Sequence, residues 1–309
     1  MPSRKWPLCP PAKGLRALPQ NQSNLTAGVL MSKNELTRWQ KFKRFLKRNM
    51  TPTWAKHFSY QVFAFIVSVL MVIGVANYAI TKSYDERKLT FVENFTVTAH
   101  TGSFDTAENS IESIESAIRN NVAVLEFDVR QRPDGTLVMA HDIVVTNNAG
   151  VEIKDAFELL KNTDIMINLD IKETRTLNAL HDLLVEYNLL DRAFLTGIES
   201  INVNDVKQSN CRDMDYYLNC QPSRIKIFGE DYQQKLLKTL EETGAVGVNC
   251  NYKYAGATLS QVLHDNGYKL SVWTVNEKSV AKRALMMKPD NITTKEYDML
   301  MSVINNWGN

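Results

Sequence analysis

The stretch of sequence that decides the fold covers residues 97–142 and reads VTAHTGSFDTAENSIESIESAIRNNVAVLEFDVRQRPDGTLVMAHD. A β-branched run ends at His100, a helical pattern follows over 108–121, and a second apolar run occupies 122–129. This order of strand, helix and strand is typical of a βαβ unit, in which the two strands lie parallel. The stretch therefore predicts an α/β fold.

The same alternation continues along the rest of the chain. Helical patterns such as TLNALHDLLVEYN (176–188) separate further short strand patterns. Eight strands with intervening helices predict a parallel (β/α)8 TIM barrel over residues 93–305. An extra hairpin is expected over 130–142, because its Pro133-Asp134-Gly135 turn follows the second strand too closely for a helical crossover. The predicted barrel strands are 96–100, 122–129, 164–171, 193–198, 214–220, 245–250, 269–275 and 291–294.

Ionisable side chains collect where the predicted strands end. Because the carboxyl ends of barrel strands open onto one face, residues far apart in sequence converge there. Glu126 and Asp128 lie two apart on one strand and point to the same side, and with Asp170 they form a hard oxygen site for one divalent cation, Mg²⁺ or Ca²⁺. His100 and His141 are candidates for a general acid and a general base. Together these groups suit phosphodiester hydrolysis.

The order of these residues closely resembles the opening of glycerophosphodiester phosphodiesterase domains, which belong to the superfamily of phosphodiesterases that are similar to phosphatidylinositol-specific phospholipase C. That family's pattern is H-R-G, E-N-[TS], E-x-D, a D-G turn and H-D. Further on, NLDIK (168–172) is similar to the family's I-E-x-K strand, VWTVN (272–276) to its W-T-V-N block and PDNITT (289–294) to its closing G-I-x-T-D segment. The opening pattern appears here as His100-Thr101-Gly102, Glu108-Asn109-Ser110, Glu126-Phe127-Asp128, Asp134-Gly135 and His141-Asp142.

The resemblance implies a role for each matching residue. The acid/base pair would be His100 and His141, and the ligands of the divalent cation would be Glu126, Asp128 and Asp170. The substrate-binding residues would be Lys172, which contacts the phosphate, Trp273, which walls the pocket, and Asn109, which with Glu108 braces the site.

Two departures from the family's pattern matter for the substrate. Thr101 stands where the family has Arg, so a bidentate phosphate contact is missing, and the loss of one charged hydrogen bond would cost roughly 1.5–3 kcal/mol. Asp170 stands where Glu is commoner, and its Asp-x-Lys pair is also similar to the related sphingomyelinase-D-type phospholipases. Both changes bear on the substrate more than on the reaction.

The expected activity is that of a membrane-anchored phosphoric diester hydrolase of the glycerophosphodiester phosphodiesterase type. Its partner would be a glycerophosphodiester or a phospholipid-derived substrate, which it would convert to an alcohol and a phosphomonoester. Two alternatives stay open. One is a sphingomyelinase-D-like phospholipase, and the other is a non-catalytic module that binds a phosphodiester head group, which Thr101 favours.

An uncharged run precedes the predicted barrel. Residues 58–80 read FSYQVFAFIVSVLMVIGVANYAI. As a helix these residues span roughly 34 Å, enough for a hydrocarbon core of ~30 Å. Tyr60 and Tyr78 lie near the two ends, where amphipathic aromatic rings favour the headgroup region. The run predicts a single transmembrane helix in contact with the lipid bilayer.

Cations concentrate before this run. Residues 33–57 carry eight Lys/Arg against Glu35 alone, with apolar residues at helical spacing, which is typical of an amphipathic helix on an anionic membrane surface. The positive-inside rule then places the N-terminus in the cytoplasm and everything after residue 81 outside, most naturally in a bacterial plasma membrane. Residues 1–32 lack apolar periodicity and predict a disordered leader, in which Met31 is an alternative start.

The net charge of +2 hides an asymmetry between two parts of the chain. Residues 1–81 hold 12 Lys/Arg against one acid, which leaves 24 Lys/Arg against 33 acids for residues 82–309. An acidic body repels phosphates, so the layout argues against a nucleic-acid partner. The four cysteines lack the spacing of a zinc site, and a disulfide between Cys211 and Cys220 stays open.

Overall fold

The computed structural model describes residues 37–49 and 51–308. The predicted leader over 1–32, including Met31, lies outside the described residues. The chain divides into two units, with the division inside a long helix between Val69 and Leu70.

Two helices precede the barrel: α1 covers Arg38–Asn49 and α2 covers Pro52–Asp85. An 18-residue window of α2 has a mean hydropathy of 2.3, and no residue of α2 is buried. By length and composition α2 is able to cross a membrane. The helix begins before the uncharged run because Pro52 suits a first helical position and the Thr51 hydroxyl accepts a hydrogen bond from the backbone N–H of Trp54.

Eight parallel strands form a closed barrel, which confirms the predicted (β/α)8 fold. The first strand pairs with both the second and the last, so the ring has no open edge. In chain order the strands are β1 Thr96–Ala99, β2 Val124–Gln131, β3 Leu137–Met139, β4 Val151–Glu152, β5 Met166–Ile171, β6 Ala193–Ile198, β7 Tyr216–Asn219, β8 Gly247–Asn251, β9 Lys269–Trp273 and β10 Asn291–Thr294. All of them except β3 and β4 belong to the ring.

The extra hairpin is formed by β2 and β3, which pair antiparallel with Val129 opposite Met139. Its turn depends on Gly135, whose φ of 94° is a conformation that favours glycine. The strand β2 runs on to Gln131, two residues beyond the predicted end, because these residues form the first arm of the hairpin.

Eight helices follow the barrel strands or their hairpin. The helix α3 begins at Ile111, three residues after the predicted start at 108. Asn109 has a φ of 53°, which is not helical, and the Ser110 hydroxyl caps the helix by accepting a hydrogen bond from the backbone N–H of Ser113. The helices are α3 Ile111–Arg119, α4 Ile153–Leu160, α5 Leu177–Glu186, α6 Val203–Gln208, α7 Glu230–Thr243, α8 Ala257–Asp265, α9 Lys278–Leu285 and α10 Tyr297–Asn305. Short 3-10 turns cover Thr174–Thr176, Leu190–Arg192, Asn210–Asp213 and Lys226–Phe228.

The main apolar core lies between the barrel and its helices. On β2, Phe127 packs against Phe157 of α4, with ring centroids 6.4 Å apart and both rings fully buried. Because side chains alternate along a strand, Glu126 and Asp128 on either side of Phe127 point to the barrel interior. The fold therefore delivers two carboxylates from one strand to the inside of the ring.

The cysteines that were candidates for a disulfide are free. The thiol of Cys211 is buried and donates to the carbonyl oxygen of Leu177 over 3.1 Å, and Cys220 is half-buried. Burial raises the pKa of both thiols to about 11. Neither thiol is bonded to the other, so the Cys211–Cys220 pairing is not formed.

Candidate active site

A cavity of about 430 Å³ opens at the carboxyl ends of the barrel strands. Seven of the eight predicted site residues line it. The eighth, Asn109, lies behind Asp128 and is hydrogen-bonded to it. The seven are His100, Glu126, Asp128, His141, Asp170, Lys172 and Trp273.

The three predicted carboxylate ligands converge within this cavity. One oxygen each from Glu126, Asp128 and Asp170 lies within 4.8 Å of the others. The strand register explains this, because Asp128 of β2 and Asp170 of β5 are directly paired. Three anionic oxygen donors at this spacing fit a hard divalent cation.

Glu126 is a buried member of the carboxylate cluster, and its pKa is raised. Burial, reinforced by the charges of Asp128 and Asp170, raises the pKa of Glu126 from 4.5 to about 7. His100 and the backbone N–H of Thr101 oppose this rise only in part. A cation bound beside Glu126 would therefore displace a proton near neutral pH.

The ammonium group of Lys172 lies between the other two carboxylates. Its Nζ atom is 2.8 Å from Asp128 Oδ1 and 2.5 Å from Asp170 Oδ2. Burial works against a charge on Lys172, but the two carboxylates hold the pKa of Lys172 above its usual value. Burial likewise opposes the charge on Asp128, yet Lys172 and the amide of Asn109 hold the pKa of Asp128 below its usual value.

Asn109 holds Asp128 by two hydrogen bonds. Its Nδ2 donates to Asp128 Oδ2 over 2.7 Å, and its Oδ1 accepts from the backbone N–H of Asp128 over 3.1 Å. The positive φ of Asn109 turns the side chain toward β2, and asparagine tolerates this conformation. Asn109 is therefore placed to brace the carboxylate group.

Thr101, which stands where the related family has Arg, does not line the cavity. Its side chain is buried, and its Oγ1 accepts a hydrogen bond from the backbone N–H of Asn109. Its own backbone N–H donates to Glu126 Oε2 over 3.1 Å. Thr101 thus contacts the carboxylate of Glu126 directly and also contacts Asn109, which holds the carboxylate of Asp128.

The two histidines reach the cavity in different environments. Nδ1 of His100 lies 2.8 Å from the carbonyl oxygen of Thr101, and because a carbonyl can only accept, Nδ1 carries the proton and leaves Nε2 of the neutral ring as an acceptor. Nδ1 of His141 lies 3.1 Å from Asp142 Oδ1, a carboxylate that also accepts. His100 is mostly buried and His141 is exposed. Each ring can accept or deliver a proton through Nε2.

Sequence reasoning missed several polar residues of the cavity. Lys295 directly follows β10, and its Nζ pairs with Glu108 at the cavity wall. Asn219 ends β7, Asn249 lies in the middle of β8, and Nδ2 of Asn249 donates to Oδ1 of Asn219 over 2.9 Å. A position at or directly after the carboxyl end of a strand is the signal that could have found Lys295 and Asn219, since the same signal identified the carboxylates.

A second cavity of about 510 Å³ lies at the amino ends of the strands. It is lined by exposed carboxylates such as Asp191, Asp213 and Asp215 and contains none of the predicted site residues. The chemistry of the side chains therefore favours the smaller cavity as the active site.

Comparisons with known proteins point to one family. The model of the glycerophosphoryl diester phosphodiesterase family matches residues 98–196, which contain both histidines and all three carboxylates. A curated protein of Caldanaerobacter subterraneus subsp. tengcongensis, named glycerophosphodiester phosphodiesterase, is 25% identical over 252 residues that cover 69% of this chain and 98% of that protein. Over residues 98–196 the chain is similar to the glycerophosphoryl diester phosphodiesterase family. It is accordingly an enzyme of the phosphoric diester hydrolase class.

Solved structures of this family share the fold. A glycerophosphoryl diester phosphodiesterase structure from Silicibacter pomeroyi has a TM-score of 0.59 at 16% identity and covers 71% of this chain and 96% of its own. A phosphodiesterase of Oleispira antarctica, solved with the product sn-glycerol-3-phosphate, has a TM-score of 0.59 at 19% identity and covers 68% of this chain and 97% of its own. At these identities the similarity shows the barrel fold alone.

Proposed function

We propose that this chain is a membrane-anchored, metal-dependent phosphodiesterase that hydrolyses a glycerophosphodiester to an alcohol and a phosphomonoester. The observation that carries the proposal is the convergence of two histidines and three carboxylates on one cavity. The name of the Caldanaerobacter relative and the product bound by the Oleispira enzyme support a glycerophosphodiester as the substrate class.

Glu126, Asp128 and Asp170 would hold one divalent cation, Mg²⁺ or Ca²⁺, because their donor set is anionic and entirely oxygen. Such an ion, when bound, neutralises charge on the phosphoryl oxygens. Lys172, which already lies against two of these carboxylates, would contact the same phosphate and add a positive charge. Trp273 would wall the pocket around the substrate.

The two histidines would carry the proton transfers. One Nε2 accepts the proton of the attacking water, and the other ring, protonated, gives its proton to the oxygen of the leaving alcohol. A hydroxyl group of the substrate is an alternative nucleophile, and it would form a cyclic phosphate instead of an open phosphomonoester.

The test is phosphodiesterase activity of the full-length chain in detergent micelles on glycerophosphocholine. We expect turnover that EDTA abolishes and that Mg²⁺ or Ca²⁺ restores, and losses of about 10²–10⁴-fold in His100→Ala and His141→Ala. His181→Ala, outside the cavity, is the matched control. Turnover that is insensitive to EDTA, or equal in the two histidine variants and the control, would contradict the proposal. Product analysis for a cyclic phosphate identifies the nucleophile.

We infer that α2 anchors the enzyme in a bacterial plasma membrane, with the N-terminus in the cytoplasm and the barrel outside. The support is the apolar length of α2 and the excess of cations before it. A reporter enzyme that is active only outside the cytoplasm, fused after the barrel, should be active in bacterial cells. If that reporter is inactive and a reporter that works only in the cytoplasm is active at the same position, the orientation is the opposite of the one proposed.

A further inference from the structure

Large exposed apolar side chains are concentrated in loops at the end of the barrel where the active-site cavity opens. Eight large hydrophobic residues are exposed in the described chain after residue 85, and six of them lie in loops at the carboxyl ends of strands. Single exposed apolar residues are ordinary, but a cluster on one face indicates an interaction site. The six are Ile143, Val145, Ile201, Ile225, Phe228 and Tyr254, and together they are called the mouth rim.

Five of the six rim residues are the most exposed of the eight side chains. Ile201 after β6 and Ile225 after β7 are each 84% exposed, and Phe228 in the same loop as Ile225 is 71% exposed. Ile143 and Val145, which follow β3 and lie close in sequence to His141, are 74% and 76% exposed. Because β6, β7 and β8 are neighbours in the ring, the loops that carry most of the rim are adjacent.

An apolar groove lies beside this rim. It has a volume of about 220 Å³ between β7 and α7 and is lined by Leu218, Pro222 and Leu236. Leu218 faces the groove, whereas its neighbour Asn219 lines the active-site cavity. The groove and the active site are thus on opposite sides of β7. A flexible chain attached to a bound head group would reach the groove by crossing the end of that strand.

Cations accompany the apolar residues of the rim in the two loops after β7 and β8. Arg224 and Lys226 flank Ile225, Lys253 precedes Tyr254, and all three are exposed. The loop over 220–229 contains no acid, although residues 82–309 as a whole carry an excess of acids. Exposed apolar side chains interleaved with cations are complementary to an interface of acyl chains and anionic headgroups.

We propose that the mouth rim docks the active site onto an anionic lipid bilayer and that the groove receives an acyl chain. The substrate class would then be an acyl-bearing glycerophosphodiester, such as a lysophospholipid, presented at that surface. The choice of substrate rests on the proposed function, whereas the docking does not. Each exposed Ile or Phe that leaves water on docking strengthens binding by about tenfold or more.

The docking is tested on the full-length chain with an environment-sensitive fluorophore. The label is placed at Ile225→Cys and, as the control on the opposite face of the barrel, at Asp213→Cys. Both are made with Cys9 and Cys220 replaced by serine, since Cys211 and Cys250 are fully buried. The protein is held in a nanodisc of phosphatidylcholine and phosphatidylglycerol, with a lipid-attached quencher either in that nanodisc or in added vesicles of the same composition.

We expect at least twofold greater quenching at Ile225→Cys than at Asp213→Cys in one of the two arrangements. The arrangement that quenches shows whether the rim binds its own bilayer or an opposing one. Equal quenching of the two labels in both arrangements would overturn the proposal. This readout needs no turnover, so it can succeed or fail independently of the proposed phosphodiesterase activity.

The substrate class is tested by the ratio of kcat/KM for lysophosphatidylglycerol to kcat/KM for glycerophosphocholine. Ile225→Asp combined with Phe228→Asp should lower this ratio by about tenfold or more. Val185→Asp, the same kind of change at an exposed position of α5, should leave the ratio unchanged. A ratio that is equal in the rim variant and in Val185→Asp would overturn the assignment of an acyl-bearing substrate.

Discussion

The hydroxyl oxygen of Thr101 accepts a hydrogen bond from the backbone N–H of Asn109 over 2.5 Å. This bond fixes the segment in which Asn109 adopts its positive φ and reaches Asp128. Thr101, which stands where the similar family has Arg, therefore contacts the frame of the site and does not line the cavity. If the proposed function holds, a cation for the phosphate would come from another residue of the cavity.

Removing the Thr101 hydroxyl should weaken the carboxylate site. In Thr101→Val the N–H of Asn109 loses its partner at a mostly buried position, which should cost about 1–3 kcal/mol of stability. Metal affinity should also fall, because Asn109 then holds Asp128 less firmly. Calorimetric titration with Ca²⁺ and thermal unfolding measure the two effects. Thr239→Val, whose hydroxyl bonds only within α7, is the control, and equal behaviour of the two variants would contradict the role of Thr101.

Lys295 is the residue best placed to supply the missing positive charge. It lines the cavity and pairs with Glu108, and it occupies the position where the family's closing segment has Asp. We expect Lys295→Ala to lower kcat/KM by roughly 10–100-fold, the equivalent of one charged hydrogen bond, and Lys295→Arg to retain most of the activity. Lys238→Ala, an exposed position on α7, should have no effect. Full activity of Lys295→Ala would exclude a contact with the phosphate.

Glu126 should make the metal-free protein less stable as the pH rises. Burial raises its pKa from 4.5 to about 7, so between these values the folded chain binds more protons than the unfolded chain, and stability falls with increasing pH. The full effect is about 3 kcal/mol above pH 7. In EDTA, the unfolding midpoint should decrease between pH 5 and pH 8 by about 6–12 °C more than in Glu126→Gln. Parallel pH profiles for the two proteins would contradict this pKa.

Substitution of Gly197, beside the three converging carboxylates, should be harmful for two reasons. Its φ is 78°, and a Cβ there would collide with the carbonyl oxygen of Ile171 and lie 2.7 Å from Asp170 Oδ1. Gly244 has a similar φ of 82° but open space around it, so Gly244→Ala reports the backbone strain alone, about 1–2 kcal/mol. Gly197→Ala should cost more than this and should also lower the affinity for Ca²⁺ or Mg²⁺ in calorimetric titration.

The stability and the metal affinity of the two glycine variants are compared with each other. If Gly197→Ala and Gly244→Ala lose equal stability and retain equal metal affinity, the contact with Asp170 has no consequence for the site. A loss of metal affinity in Gly197→Ala alone would show that the close approach of β6 to Asp170 positions that carboxylate.

The barrel could be predicted because its strands are short, β-branched and separated by helical patterns. The predicted strands 193–198 and 291–294 agree with β6 and β10 to the residue. Elsewhere local geometry moved the bounds: β7 begins at Tyr216 and not at the predicted residue 214, because the backbone N–H of Met214 still bonds back to Cys211 of the 3-10 turn Asn210–Asp213. The convergence of side chains at the carboxyl ends followed from the topology of the fold and required no knowledge of contacts.

The parts of the site that escaped prediction depend on contacts between segments. Nothing in the sequence around Thr101 indicates that its hydroxyl meets the backbone of Asn109, because that contact needs the positive φ of Asn109. Asn249 is a neutral amide in the middle of β8, whose type alone does not indicate a site, and its hydrogen bond to Asn219 of β7 cannot be read from the sequence. The roles proposed for the histidines and carboxylates remain predictions until the variants are measured.

The pairing of β1 with β10 has a consequence for the synthesis of the protein. Thr96 is paired with Asn291, 195 residues later in the chain. At a translation rate of about 5–20 residues per second, the first strand waits about 10–40 s for its second neighbour. During this interval its backbone groups form an open edge to which other chains can add. A chain that stops before Asn291 would keep open edges on both β1 and β9, so the last strand protects the nascent barrel from aggregation.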